Sequence, residues 1–190
     1  MPAVTPKLLL RIVLLGLGVV LLQVAAVSQI VIFGASADLT PLVVAGVGLL
    51  CGSITGAIFG FSVGLFFDAA LLQTMGLTSF VFVLVGYGAG RLRELRDPQA
   101  VVVPMIVGAL ATAISTFGYG LMSFMLGNDT PVSFLLLRVI LATIILNAII
   151  SLPVFALVRR WLGPVLPEDP RRRRRRRAYT TGGLSPLTRA

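Results

Sequence analysis

The sequence contains no histidine and a single cysteine, and charged residues make up only 12% of its 190 positions. A soluble domain carries about 25% charged residues. Without histidine the chain lacks the commonest general base and metal ligand. One cysteine excludes an intramolecular disulfide. The setting of Cys51, Leu49-Leu50-Cys51-Gly52, marks it as a small packing residue and not a reactive thiol. The acids are scattered, so no group of side chains has the spacing of a metal site. No nucleophile and base pair, phosphate loop or dinucleotide fingerprint is present. These absences describe a non-enzyme with no metal and no cofactor.

What the sequence has in abundance is apolar length. It is 57% hydrophobic, with a mean hydropathy of +1.00. A soluble fold of this size cannot hide so much apolar surface, so lipid must be the solvent for most of it. The fold class is an all-α integral membrane protein. The net charge of +9 is concentrated at one end, in the uninterrupted run Arg171, Arg172, Arg173, Arg174, Arg175, Arg176 and Arg177.

Three spans are read directly from the apolar runs at residues 8–33, 99–126 and 132–161. Each exceeds the roughly 20 residues that cross a hydrocarbon core. Ala35-Ser36-Ala37 resembles a signal-peptide cleavage site. The preceding apolar run, however, is much longer than the 7–15 residues or so of a signal core, so an uncleaved helix is expected. The stretch 39–90 contains no lysine or arginine and holds either two ordinary spans or three short ones.

Charge parity decides between these. Short cytoplasmic loops carry the basic excess, and the basic clusters are Lys7 with Arg11, the loop from Arg91 to Arg96, and the tail that starts at Arg159. Placing all three on one side requires an odd number of crossings within 39–90. Three short spans, 39–50, 54–70 and 77–90, satisfy this. The expected plan is then six transmembrane helices within residues 1–162 and both termini in the cytoplasm. Asp38, Asp68 and the turn at 127–131 fall on the outer side. Residues 163–190, interrupted by Pro164, Pro167 and Pro170 and then rich in arginine, are expected to form a disordered cytoplasmic tail. Next to the inner leaflet, Arg171–Arg177 would bind anionic lipid at about 1 kcal/mol each before repulsion and salt reduce it. Nucleic acid is not an expected partner.

Reading backward from Asp68, glycines stand at 64, 60, 56, 52 and 48. Steps of four residues wind as a right-handed stripe along a helix, the ridge on which small residues let membrane helices approach closely. Gly56, Gly60 and Gly64 therefore mark a groove, filled either by another helix of the same chain or by a partner protein. Asp68 admits two readings as well: a paired charge within the membrane, or a wet residue at the outer end of a short helix. Arg138, near the start of the last span, is its candidate partner, and Asp38 is a further outer-boundary acid.

The pattern Gly56-x3-Gly60-x3-Gly64-x3-Asp68, followed by Met75-Gly76-Leu77 and Gly86-Tyr87-x2-Gly90, resembles the MreD family of bacterial rod-shape membrane proteins. Where that family often has Pro-Asp at the start of the second span, this chain has Ala37-Asp38 followed by Pro41. The resemblance implies a non-catalytic scaffold in the bacterial cytoplasmic membrane. The implied partners are the single-span protein MreC, the glycosyltransferase RodA and a penicillin-binding transpeptidase that build lateral peptidoglycan. It also implies a fold like that of the six-helix substrate-binding subunits of energy-coupling-factor vitamin transporters. The alternative function is such a transporter subunit. Against it, a solute pocket needs several convergent polar groups, and the spans offer few: Gln23, Ser62, Ser115, Asn147 and Ser151. Most of these can be satisfied by backbone carbonyls or neighbouring helices.

Overall fold

The computed structural model describes residues 6–25, 31–32, 35–72, 74–95, 102–125, 127 and 134–166. Among them are six helices: α1 (Pro6–Ala25), α2 (Leu39–Cys51), α3 (Ser53–Ala70), α4 (Leu77–Leu95), α5 (Val102–Met125) and α6 (Phe134–Leu162), the last followed by a 3-10 turn at Gly163–Val165. Arg171–Arg177 and the rest of the expected tail lie outside the described residues.

Two boundaries differ clearly from expectation: α4 runs on to Leu95 where the span was expected to end at residue 90, and the first span breaks into a strand. The apolar run 8–33 was expected to be one helix, but Val31 and Ile32 form β1, paired antiparallel with Ala35 and Ser36 of β2. Hydropathy registers that these residues are apolar but not that adjacent β-branched side chains also suit a strand. Four helices, α1, α3, α5 and α6, are long and apolar enough to cross a membrane by length and composition. With 13 residues, α2 spans only about 20 Å.

α2 is the core of the bundle. Only Leu39 and Leu50 of its residues are not buried, and it packs against each of the other five helices. A helix that is apolar all round belongs either in such a position or in lipid. The outer helices each bury one stripe. In α1, Leu8, Ile12, Gly16, Val19, Val20 and Gln23 face inward, while Leu9, Leu10, Leu14, Leu17 and Leu21 are exposed. Ile106, Leu110 and Ile114 of α5 and Leu141, Ile145 and Ile149 of α6 are exposed rows at helical spacing. Each such side chain would cost about 1.5–3 kcal/mol to hold in water, so these rows belong against lipid or another protein.

α3 packs more extensively on α4 than on any other helix, and the glycine stripe is the reason. A Cβ added at Gly56 would meet the Gly86 carbonyl oxygen at 2.5 Å and the Gly48 Cα at 2.7 Å. At Gly60 it would strike the Phe82 carbonyl, and at Gly64 the Ser79 Cα. The approach is reciprocal: Cβ atoms at Gly86 and Gly90 would collide with the backbone of Gly56 and Ser53. α4 thus lies in the groove along Gly56, Gly60 and Gly64. Gly52, with φ of +99°, makes the break between α2 and α3, a conformation in which glycine avoids the steric cost of a side chain.

Cross-helix contacts sort the bundle into two ends. Arg11 Nη1 donates to the Trp161 carbonyl at 2.8 Å, Arg93 Nη1 donates to the Leu50 carbonyl, and Gly46 lies against Val158. Together these gather Arg11, Arg93 and the Arg159–Arg160 end of α6 at one end. Asp38, Asp68 and Gly76 lie at the other.

Gly86→Ala is expected to lower stability by about 1–3 kcal/mol through overpacking against backbone that cannot yield. Gly88→Ala, with nothing within 4 Å of its Cβ, should be neutral or slightly stabilising. Thermal unfolding of both purified variants in one detergent checks the contrast, and equal melting would contradict the seam.

Candidate functional site

At the end of the bundle opposite the basic residues, the α3–α4 seam closes on a hydrogen bond. Asp68 comes one helical step after Gly64 and is fully buried. Its Oδ2 accepts from the Gly76 N–H at 2.9 Å, while Oδ1 has no partner. Gly76 holds φ of +97°, which turns the chain into α4 and aims its N–H back at α3. The family-motif residues thus form one device: Gly56, Gly60, Gly64, Gly86 and Gly90 bring the helices together, and Asp68 with Gly76 ties their connection. Tyr87 points away from the seam and is exposed.

Beside this closure two helices, α1 and α6, converge on the start of α2. Gln23 Nε2 donates to the Ala37 carbonyl at 3.0 Å and to Asp38 Oδ1 at 3.3 Å, and Gln23 Oε1 accepts from the Leu39 N–H at 2.9 Å. Asn147 Oδ1 accepts from the Asp38 N–H at 3.2 Å. Helix N-termini leave N–H groups without intrahelical partners. Here α1 and α6 satisfy those at the entry to α2 with buried side chains. Burial raises the Asp38 carboxyl above its usual range.

A cavity of about 380 Å³ opens next to Asp38. Its described lining joins Gln23, Asp38 and Thr40 to Thr78 of α4 and to Ser115 and Tyr119 of α5, with Pro41, Phe67, Val81 and Phe82 as apolar wall. The hydroxyls of Thr40, Thr78 and Ser115 are buried without hydrogen-bond partners. Here a cavity, a carboxylate and residues with unsatisfied hydroxyls coincide.

Two expectations about the acids are corrected. Asp68 is not a wet boundary residue, because it is fully buried and its Oδ2 takes the Gly76 N–H. It is also not paired with Arg138, which is exposed. No ion pair joins the two among the described residues: α3 packs on α4, α2 and α1, while α6 packs on α5, α2 and α1, and the two make little contact. Of the polar residues in the spans, Ser62 and Ser151 bond to the carbonyls of Ile58 and Ala148. Gln23 and Asn147 instead secure α2. Thr40 and Thr78 were not singled out from the sequence, where a threonine in an apolar helix is ordinary. Their one signal was position, in the first turns of α2 and α4 next to Asp38 and Gly76.

A family model described as rod shape-determining protein MreD matches residues 4–162. No curated protein and no solved structure matches.

Replacing Gln23 with Leu removes three hydrogen bonds at the α2 entry and should cost about 1–3 kcal/mol. Asp68→Ala should cost a comparable amount, and Asp68→Asn, which retains an acceptor for Gly76, clearly less. Arg138→Ala should leave the melting temperature unchanged. Thermal unfolding of the set checks this ranking, and a large loss from Arg138→Ala would restore the ion pair.

Proposed function

Because the chain belongs to the MreD family of rod shape-determining proteins, we propose that it acts as a non-catalytic membrane scaffold of the bacterial cell-wall elongation machinery. In this role it binds an MreC-like single-span membrane protein and works beside RodA and a penicillin-binding transpeptidase in lateral peptidoglycan synthesis. The observation that carries the reading is the extent of the family match, residues 4–162, which covers all six helices.

The proposed topology has six crossings in the bacterial cytoplasmic membrane with both termini inside. Its support is the gathering of Arg11, Arg93 and the Arg159–Arg160 end of α6 at one end of the bundle, which fits the cytoplasmic preference of basic residues. Residues 171–177 would then sit at the inner leaflet and bind anionic lipid. With the glycine groove filled by α4, a partner helix must meet the outer apolar rows. The partner would add van der Waals packing and no hydrophobic gain over lipid. The cavity beside Asp38 is the observation that favours a second reading, a substrate-binding membrane subunit of a small-molecule transporter.

A photo-crosslinking residue placed singly at Leu14, Ile58, Leu84, Ile114 and Ile145, all exposed, tests the scaffold reading in cells that contain an MreC-like protein. Crosslinks to that protein are expected from one or two adjacent outer rows and not from the others. Absence of crosslinks from every outer position in a folded, expressed chain would overturn the scaffold role.

A further inference from the structure

The cavity beside Asp38 has a chemical character that the scaffold role does not use. Asp38 Oδ1 accepts from Gln23, and no hydrogen bond among the described residues engages Oδ2. Thr40 is 1% exposed and Thr78 6% exposed, and both hydroxyls, like that of Ser115, lack partners. Buried polar groups are normally paired, by protein or by an ordered guest. Three residues with such hydroxyls line one void together with a carboxylate residue, and a bound polar group that reached them would satisfy them.

The lining also selects the kind of guest. None of the described lining residues is basic, so an anion would meet only the Asp38 carboxylate. An entirely apolar guest would leave the hydroxyls unsatisfied. Water would serve the hydroxyls but leave the half-buried carboxylate without a counter-charge. A protonated amine serves both: its N–H groups donate to Asp38 Oδ2 and to hydroxyl oxygens, and its charge offsets that of the acid. Phe67, Val81, Phe82 and Pro41 supply an apolar wall for the body of the molecule. The volume of about 380 Å³ lies within the range of about 300–1,000 Å³ found for small-molecule sites.

We propose that this cavity binds a small amphipathic organic amine, its ammonium held by Asp38 with Thr40, Thr78 and Ser115, and its apolar body packed against Phe67 and Phe82. The inference goes beyond the scaffold role and does not depend on it, since partner crosslinking and amine binding are separate readouts.

The test uses the full chain in lipid nanodiscs and phenethylammonium as the probe, with phenethyl alcohol and phenylacetate as matched arms. Thermal unfolding across a titration of each compound gives the affinities. The amine is expected to raise the melting temperature saturably, the alcohol to do so at roughly ten-fold higher concentration, and the carboxylate to have no effect. Asp38→Asn should abolish the difference between amine and alcohol. Thr40→Val keeps the side-chain shape, removes an unsatisfied hydroxyl, and so should raise the melting temperature of the empty protein while weakening the amine. No response to the amine, an equal response to amine and alcohol, or an amine preference that survives Asp38→Asn would overturn the proposal. So would a Thr40→Val protein that binds the amine as tightly as the unaltered chain.

Discussion

Backbone against backbone, α3 and α4 meet along Gly56, Gly60 and Gly64 on one side and Gly86 and Gly90 on the other, and the rest of the bundle is positioned from that contact. In lipid, two apolar helices gain nothing by hiding from solvent, because the tails around them are equally apolar. Association must come from close van der Waals contact and from polar groups that find partners. A seam in which each missing Cβ admits a carbonyl or Cα supplies the first at short range and sets the axial register of the two helices. With the register set, the connection between them has one length to span, and the Asp68 carboxylate lies where the Gly76 N–H can reach it.

The second constraint concerns α2. A short helix buried on every side has no water to satisfy its ends, and orphan backbone groups are costly in such surroundings. The chain resolves this with long polar side chains from other helices. Gln23 and Asn147 serve the amino end, and the Arg93 guanidinium serves the Leu50 carbonyl at the other. The Arg93 contact also sets a positive charge at the negative end of the helix dipole. Arg11 and Trp161 repeat the device between α1 and α6, each donating to the other's carbonyl. Basic residues at one end of the bundle therefore complete helix termini in addition to biasing topology.

These devices were unequally legible in the sequence. The all-helical class followed from composition, and the stripe of glycines was visible as spacing alone. Whether the stripe met its own chain or a partner was not legible from α3 by itself. The answer lay in the second spacing of four, Gly86 and Gly90, which is the complementary half of the same seam and reads as such only once α3 and α4 are known to be adjacent. The burial of Asp68 depends on a left-handed glycine eight residues later, a matter of turn geometry that hydropathy does not register. The first helix was overextended because Val31 and Ile32 resume the apolar run after Ser28 and Gln29, and apolarity does not distinguish the end of a helix from a short strand. The cavity had no linear signature at all, since its lining comes from α1, α2, α3, α4 and α5 and from the residues just before α2.

That such a void persists in a membrane bundle follows from how unevenly the helices fit. On one side of it, α4 is held rigidly by the glycine seam, and Thr78, Val81 and Phe82 form a wall that cannot move inward without breaking backbone contacts. On the other side, α5 approaches α4 through Gly118, whose missing side chain accommodates Val81. Ser115 and Tyr119, on either side of that contact, face the void. Collapse would require α5 to advance past Val81 or α2 to shift off its Gln23 and Asn147 partners, and each movement would sacrifice a contact that the bundle depends on. The space is therefore a by-product of tight packing elsewhere, and its polar lining sits where the entry to α2 needs Asp38 and where the α3–α4 turn places Thr78. A cavity held open by its surroundings needs little reorganisation to receive a guest, and this preorganisation lowers the cost of binding.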